Sequence, residues 1–192
     1  SLPSSPYWDD IKKILANSRT DYPTDIRDYA VLLLLSVYGM RSSEVVKLRL
    51  EDLDWKNERL NLQRAKRSKP QIFPLSQTAG EAILRYIKEV RPNNFLLKEV
   101  FISRRSPYRP LKTSAIYQIV SRRLRPLKLK IKHHGPHALR HGCATHLINE
   151  GISLKEISDH LGHQDLETTR IYTKVDLTSL RKVAEFKLEG LL

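Results

Sequence analysis

GPHALRHGCATHLINEGISLKEISDHLGHQDLETTRIY, residues 135–172, reads as a succession of short helices. Gly135-Pro136 opens the first, because proline at the first helical position gives up an N–H that would lack an intrahelical partner. The pattern continues to Asn149, and Gly151 stops it. Ser153 and Glu156 have capping-box spacing and start a second helix that ends at Gly162. A third is expected near Leu166–Tyr172. At 100° per residue on the first helix, Leu139, Cys143 and His146 fall within about 60° of one another. His137, Arg140 and Ala144 fall on a face centred about 120° away. A helix that buries one stripe and carries His and Arg on another presents them to something. Taken alone, the pair also fits a structural histidine and a surface ion-pair partner.

Outward from this stretch the chain is mostly helical. Ser4-Ser5-Pro6 begins a helix with Trp8, Ile11, Ile14 and Leu15 as its apolar stripe. Tyr22-Pro23-Thr24 opens a second, ended by Gly39, and Ser42 or Ser43 begins a short third. Asp54–Glu58 reads as a turn into a strand with Leu60 and Leu62 alternating. A second strand over Gln71–Leu75 completes a hairpin. Ser76 caps a helix to about Val90, and Thr113 caps another to about Leu124. Val100–Ile102 is a candidate strand, and residues 122–134 read as a basic loop or strand end. Two helices, near Leu166–Tyr172 and Asp176–Glu185, close the chain. The fold class expected is mainly α with a small antiparallel β-sheet (α+β). Tyr29, Tyr38, Tyr86 and Tyr117 are expected in the core.

Charge is concentrated in the middle. The formal net charge is +13. Residues 61–142 hold nineteen Lys/Arg against three Asp/Glu, whereas the flanking parts are each slightly acidic. Such clustering is the footprint of a protein that meets a polyanion. The 40% hydrophobic fraction is that of a globular chain, and no apolar run is long enough to cross a bilayer. Cys143 is the single cysteine, which excludes an internal disulfide and suggests a reducing, cytoplasmic setting.

Four separated segments match one pattern. Gly39-Met40-Arg41-Ser42-Ser43-Glu44-Val45-Val46-Lys47-Leu48 resembles the first arginine box of tyrosine recombinases and phage integrases. His137-Ala138-Leu139-Arg140-His141 resembles their His-x-x-Arg box. Leu161-Gly162-His163-Gln164-Asp165 followed by Ile171-Tyr172 resembles the box that ends in the nucleophile. Ala65-Lys66-Arg67-Ser68-Lys69 resembles the loop that bears the family's catalytic lysine. The resemblance runs from about Pro6 to Val183 and is nearest the Xer type. It implies the tyrosine recombinase catalytic-domain fold over residues 6–175, with residues 1–5 a linker remnant. It also implies an additional N-terminal DNA-binding domain, absent from these 192 residues. The tail over residues 176–192 carries Leu177, Leu180, Val183, Ala184 and Phe186, and is expected to pack on its own domain or on a neighbouring subunit of a homotetramer on DNA.

The chemistry that the resemblance implies is transesterification at a DNA phosphodiester. Its pentacoordinate centre carries extra negative charge, which planar, permanently charged guanidiniums neutralise through bidentate hydrogen bonds. Arg41 and Arg140 match that clamp. Tyr172 matches the nucleophile, which forms a 3′-phosphotyrosyl bond. A phenol with a pKa of about 10 needs a base, and His137 matches it. Lys66 matches the acid that protonates the departing 5′ oxygen, with Lys69 three residues away in the same turn. His163 matches a histidine that hydrogen-bonds the phosphate. Glu44 matches an acidic position that braces the site, and also fits an ordinary surface ion pair. Double-stranded DNA is the partner expected, with phosphate contacts from Arg64, Arg67, Lys69, Arg104, Arg105, Arg122 and Arg123.

No cofactor is implied, because the phosphotyrosine ester conserves the energy of the broken bond. All seven histidines lie between His133 and His163, yet no His-Glu-x-x-His or paired-Cys pattern suggests a metal. His133, His134 and His160 have no assigned task, and His141 and His146 are expected to be structural. A metal-dependent nuclease would need carboxylates near the scissile phosphate, and the basic middle offers only Glu81, Glu89 and Glu99. A binding module without catalysis would not need the full set of six reactive residues. A type IB topoisomerase uses similar chemistry and is the alternative reading, but the Xer-like boxes and the tail of this chain favour recombination.

Overall fold

The computed structural model describes residues 6–63 and 71–161. Its helices are α1 (Trp8–Ser18), α2 (Pro23–Ser36), α3 (Ser42–Lys47), α4 (Gln77–Arg85), α5 (Thr113–Leu124), α6 (Pro136–Asn149) and α7 (Leu154–Leu161). Three strands, β1 (Leu53–Asp54), β2 (Arg59–Leu62) and β3 (Gln71–Pro74), form one antiparallel sheet in the order β1-β2-β3. The α+β class expected from the pattern is the one observed. The helices expected beyond Gly162 lie outside the described residues.

Helix α2 is the centre of the domain. Every residue from Ala30 to Ser36 is buried, and α1, α3, α4, α5 and α6 all pack against it. A helix apolar all round has no outward face to offer water, so it must be surrounded. Its one buried hydroxyl in the last turn, Ser36 Oγ, donates to the Leu32 carbonyl at 2.7 Å. Tyr38 then crosses to the sheet, where its hydroxyl donates to the Pro74 carbonyl at 3.1 Å and accepts from Ser76 N at 2.9 Å. Tyr38 and Tyr86 are buried as expected, and Tyr29 is partly buried. Tyr117 is not in the core. It is 49% exposed, and its ring covers Gly135, where an added Cβ would lie 2.6 Å from a ring carbon.

In the hairpin, Leu60 pairs with Phe73 and Leu62 with Gln71, so Leu60, Leu62 and Phe73 enter the core together. Ser76 caps α4 by accepting from Ala79 N, and the helix continues through a π turn to Val90. Val100–Ile102 forms no strand. Arg49 with Glu99 and Ile102 with Pro110 make isolated bridges, and the Arg91 guanidinium holds the segment through the carbonyls of Leu97, Glu99 and Val100. Thr113 is the first residue of α5, and Lys112 occupies the cap position without a side-chain hydrogen bond. The basic stretch after α5 makes a short 3-10 turn over Arg125–Leu127 and is otherwise irregular.

Helix α6 follows Gly135 as read from the sequence, and Gly151, at φ +81°, terminates it. The capping box of α7 is formed: Ser153 Oγ donates to Glu156 Oε2 at 2.6 Å and accepts from Glu156 N at 3.3 Å. Among the described residues no helix is long and apolar enough to cross a membrane.

Candidate active site

Three segments far apart in sequence meet at one guanidinium. Arg140, one turn into α6, is only 7% exposed. Its Nη1 donates to the carbonyl of Gly39 and its Nη2 to the carbonyl of Leu161, the latter at 2.5 Å. A buried charge must be compensated by polar partners. Here the compensation comes from two main-chain carbonyls, one in the turn after α2 and one in α7. Gly39 precedes Arg41 by two residues, and Leu161 precedes His163 by two. The arginine of the third segment therefore fastens the approaches to the other two.

Gly39 explains how the segments come so close. It sits at φ +58°, a conformation that disfavours any Cβ, and a Cβ there would run into Leu161 Cδ2. Without a side chain at 39, Leu161 of α7 can close over the turn between α2 and α3.

Arg41 follows as the residue that caps α3. Its backbone N–H donates to Glu44 Oε2 at 2.7 Å and its Nη1 to Glu44 Oε1 at 3.0 Å. Glu44 is nearly buried, whereas the Arg41 side chain is 37% exposed. One carboxylate thus grips both the main chain and the guanidinium of Arg41. This bond is more than an exposed ion pair, since one partner has left water and accepts two hydrogen bonds. His137, the second residue of α6, is exposed on the outer surface. Its entry angle is set at Gly135, against which the Tyr117 ring lies.

The other side of α6 is structural. Cys143 Sγ reaches the Val37 carbonyl at 3.5 Å, and His146 stacks on Trp8 with ring centroids 4.1 Å apart. Burial lowers the His146 pKa, with Lys12 acting the same way and Glu150 and Asp9 opposing it. His160, without a task in the sequence reading, is buried edge-on against Phe73, at a centroid distance of 5.3 Å. Its Nε2 lies 3.4 Å from the Val37 carbonyl. Gln71 was also overlooked. Its Nε2 donates to the Asp159 carbonyl at 2.5 Å, joining β3 to α7. The signal was present in the period-two pattern, which puts Gln71 on the same face as Phe73.

The expected DNA contacts divide. Arg105 is exposed, and Arg104, also exposed, donates to Thr24 Oγ1 at 2.5 Å. Arg122 and Arg123 make ion pairs within the fold, and the Arg122 side chain stays 54% exposed. Both pair with the fully buried Asp28, Arg123 pairs with Asp25 as well, and Arg27 meets Asp28 at 2.9 Å. Helix α5 turns these last basic residues toward acidic positions of α2 that the sequence does not reveal as neighbours. Lys66, His163 and Tyr172, with Arg64, Arg67, Lys69 and the tail from Asp176, lie outside the described residues. No group of three or more His, Cys, Asp or Glu suited to a metal occurs among the described residues.

The model of the phage integrase family matches residues 7–178. The chain belongs to this family. Its relatives carry the names tyrosine recombinase and integrase/recombinase. A candidate integrase/recombinase of Sinorhizobium fredii, y4gC, is 37% identical over 185 residues, covering 95% of each chain. Tyrosine recombinase XerA of Pyrococcus horikoshii is 34% identical, covering 96% of this chain and 61% of the relative. Against a second Sinorhizobium fredii relative, y4rA, the chain spans only 44% of the length. Among solved structures, a XerA recombinase superposes with TM-score 0.71 at 24% identity, covering 98% of this chain and 64% of the other. XerH bound to its difH substrate superposes with TM-score 0.69 at 20% identity, covering 99% and 52%. These structures share the integrase catalytic fold.

Proposed function

We propose that this chain is the catalytic domain of a site-specific DNA recombinase that cuts and rejoins strands through Tyr172. The phenolic oxygen attacks the scissile phosphorus, a phosphorus–oxygen bond forms to tyrosine, and the bond to the 5′ oxygen breaks. His137 takes the phenolic proton, and Lys66, or Lys69 beside it, gives one to the departing oxygen. Arg41 and Arg140 neutralise the charge that builds on the non-bridging oxygens, and His163 adds a hydrogen bond. Fixed positive charge aimed where negative charge develops is usually the largest single catalytic contribution. Religation reverses the steps, so no nucleotide cofactor is needed.

The observation that carries this reading is the convergence at Arg140. Its guanidinium bonds the Gly39 and Leu161 carbonyls and so draws together the leads into Arg41 and His163. The same spacing in a surface helix would have no reason to bury an arginine against two distant carbonyls. The basic middle of the chain supports duplex DNA as the partner. Affinity from such a surface is mostly sequence-independent and falls steeply with salt. A homotetramer on DNA, with the apolar tail seated on a neighbouring subunit, is part of the same proposal, as are a linker at residues 1–5 and a separate DNA-clamping domain before it.

The test is covalent trapping on a nicked suicide duplex. The unaltered chain should give a protein–DNA adduct that persists in excess chelator, and Tyr172→Phe should give none. An adduct that survives Tyr172→Phe, or one abolished by chelator, overturns the mechanism.

A further inference from the structure

We propose that Tyr117 is a positioning residue for His137, its ring fixing the entry of α6 and with it the direction of the imidazole. The proposal rests on the reading above that His137 is the base for the attacking phenol.

The first turn of α6 cannot hold itself in place. Gly135 stands at the capping position and has no side chain with which to accept from the N–H groups that open the helix. Pro136 comes next and has no N–H to donate. Ala138 N donates to the Gly135 carbonyl at 2.9 Å, a bond that starts the helix without anchoring it to another element. Tyr117 supplies the anchor. It stands on the outward side of α5, whose inward side buries Ile116, Ile119 and Val120. The residue is 49% exposed, yet an added Cβ at Gly135 would be 2.6 Å from its Cε2 and 2.8 Å from its Cδ2. Gly135 itself is buried.

This arrangement holds His137 from two sides. Three residues further on, Arg140 ties α6 to the Gly39 and Leu161 carbonyls. Two residues before it, the Tyr117 ring bears on Gly135. His137 is the second residue of the helix and is exposed, so its direction depends on those two fixed points. A tyrosine used only for stability would contribute more inside the core, where the whole ring leaves water. Laid on a main-chain glycine at the surface, the ring gives less burial and more control of direction. A base must lie within hydrogen-bond reach of the proton it takes, so a first turn free to shift costs chemistry before it costs binding.

Raising the pH separates this role from general support of the fold. A free phenol ionises near pH 10, so alkaline buffer supplies phenolate without help from a base. Adduct formation on the nicked suicide duplex is followed in a single turnover, with saturating protein, at about pH 7 and about pH 9.5. The unaltered chain is compared with Tyr117→Ala, Tyr117→Phe, Gly135→Ala, the Tyr117→Ala/Gly135→Ala pair and His137→Ala. Tyr117→Ala should be roughly tenfold slower at the lower pH and within about twofold of the unaltered chain at the higher. Tyr117→Phe keeps the ring and should stay within about twofold at both. Gly135→Ala pushes the ring aside and should slow the reaction at the lower pH. Once the ring is gone, the same substitution should add less than about twofold. If the deficit of His137→Ala closes at the higher pH and that of Tyr117→Ala does not, Tyr117 only supports the fold and the proposal fails alone. If the deficit of His137→Ala persists, the base assignment fails and takes the role of Tyr117 with it. Tyr117→Phe as slow as Tyr117→Ala would assign the effect to the hydroxyl, and Tyr117→Ala at the unaltered rate would leave no effect to assign. Either result overturns the proposal.

Discussion

The Nη2 of Arg140 donates to the main-chain carbonyl of Leu161 at 2.5 Å, from a side chain that is almost wholly buried. A residue matched to catalysis thus also closes α7 onto α6. Replacing it removes a charge from the reaction and a donor from the fold.

Arg140→Lys is accordingly not conservative. An ammonium cannot reach two divergent carbonyls and still present a planar pair of donors to a phosphate. The covalent-adduct rate should fall at least about 10²-fold, by comparison with the loss of one oxyanion donor. DNA affinity, measured by fluorescence anisotropy, should change far less. Equal losses in both would make Arg140 a DNA-holding residue.

Gly39→Ala tests the close approach of α7. The substitution forces a Cβ into a left-handed conformation and against Leu161. The two effects together should cost about 2 kcal/mol or more in urea denaturation. Gly151→Ala shares the positive φ but has open space around it, so it should cost less. A reversed order would mean that Leu161 yields freely.

Asp28 should be the most expensive charge to remove. It is fully buried and meets Arg27, Arg122 and Arg123. Asp28→Asn leaves three guanidiniums without their shared anion, a loss of about 3–5 kcal/mol by chemical denaturation. Arg123→Ala should lower stability more than DNA affinity, and Arg105→Ala should do the opposite. Arg123→Ala that weakens DNA binding without destabilising the fold would make it chiefly a DNA contact.

His146 gives the fold a pH dependence with a definite sign. Burial holds its pKa below the ordinary 6.5, so the folded protein prefers the neutral ring stacked on Trp8. The contribution is fully present above the unfolded value and is lost as pH falls through the lowered folded value. The melting temperature should therefore drop more steeply between pH 7.5 and 5.5 in the unaltered chain than in His146→Phe, which keeps a stacking ring. Parallel slopes in the two proteins would remove His146 from the account.

Much of this was legible from residue order. The starts of α6 and α7 and the stop of α6 followed from Pro136, Ser153, Glu156 and Gly151, because caps and breakers act locally. So did the pairing of Glu44 with Arg41, three residues apart. What was not legible is long-range. Nothing local sends Tyr117 out to lie on Gly135, or turns Arg122 and Arg123 toward Asp28. Strand β1 is two residues long and has no period to detect. The partner of Gln71 lies on a helix 88 residues away, where only the assembled core brings them together.

Helix α1 rests on α6 at Gly142, where an added Cβ would come within 2.5 Å of Ile11 Cδ1. With Trp8 also clasped to His146, the first helix is glued along the rod that carries His137 and Arg140. A displacement of α1 would reach that rod directly through Ile11 and Trp8. The face of α6 that carries His137 therefore moves with the first helix rather than independently of it.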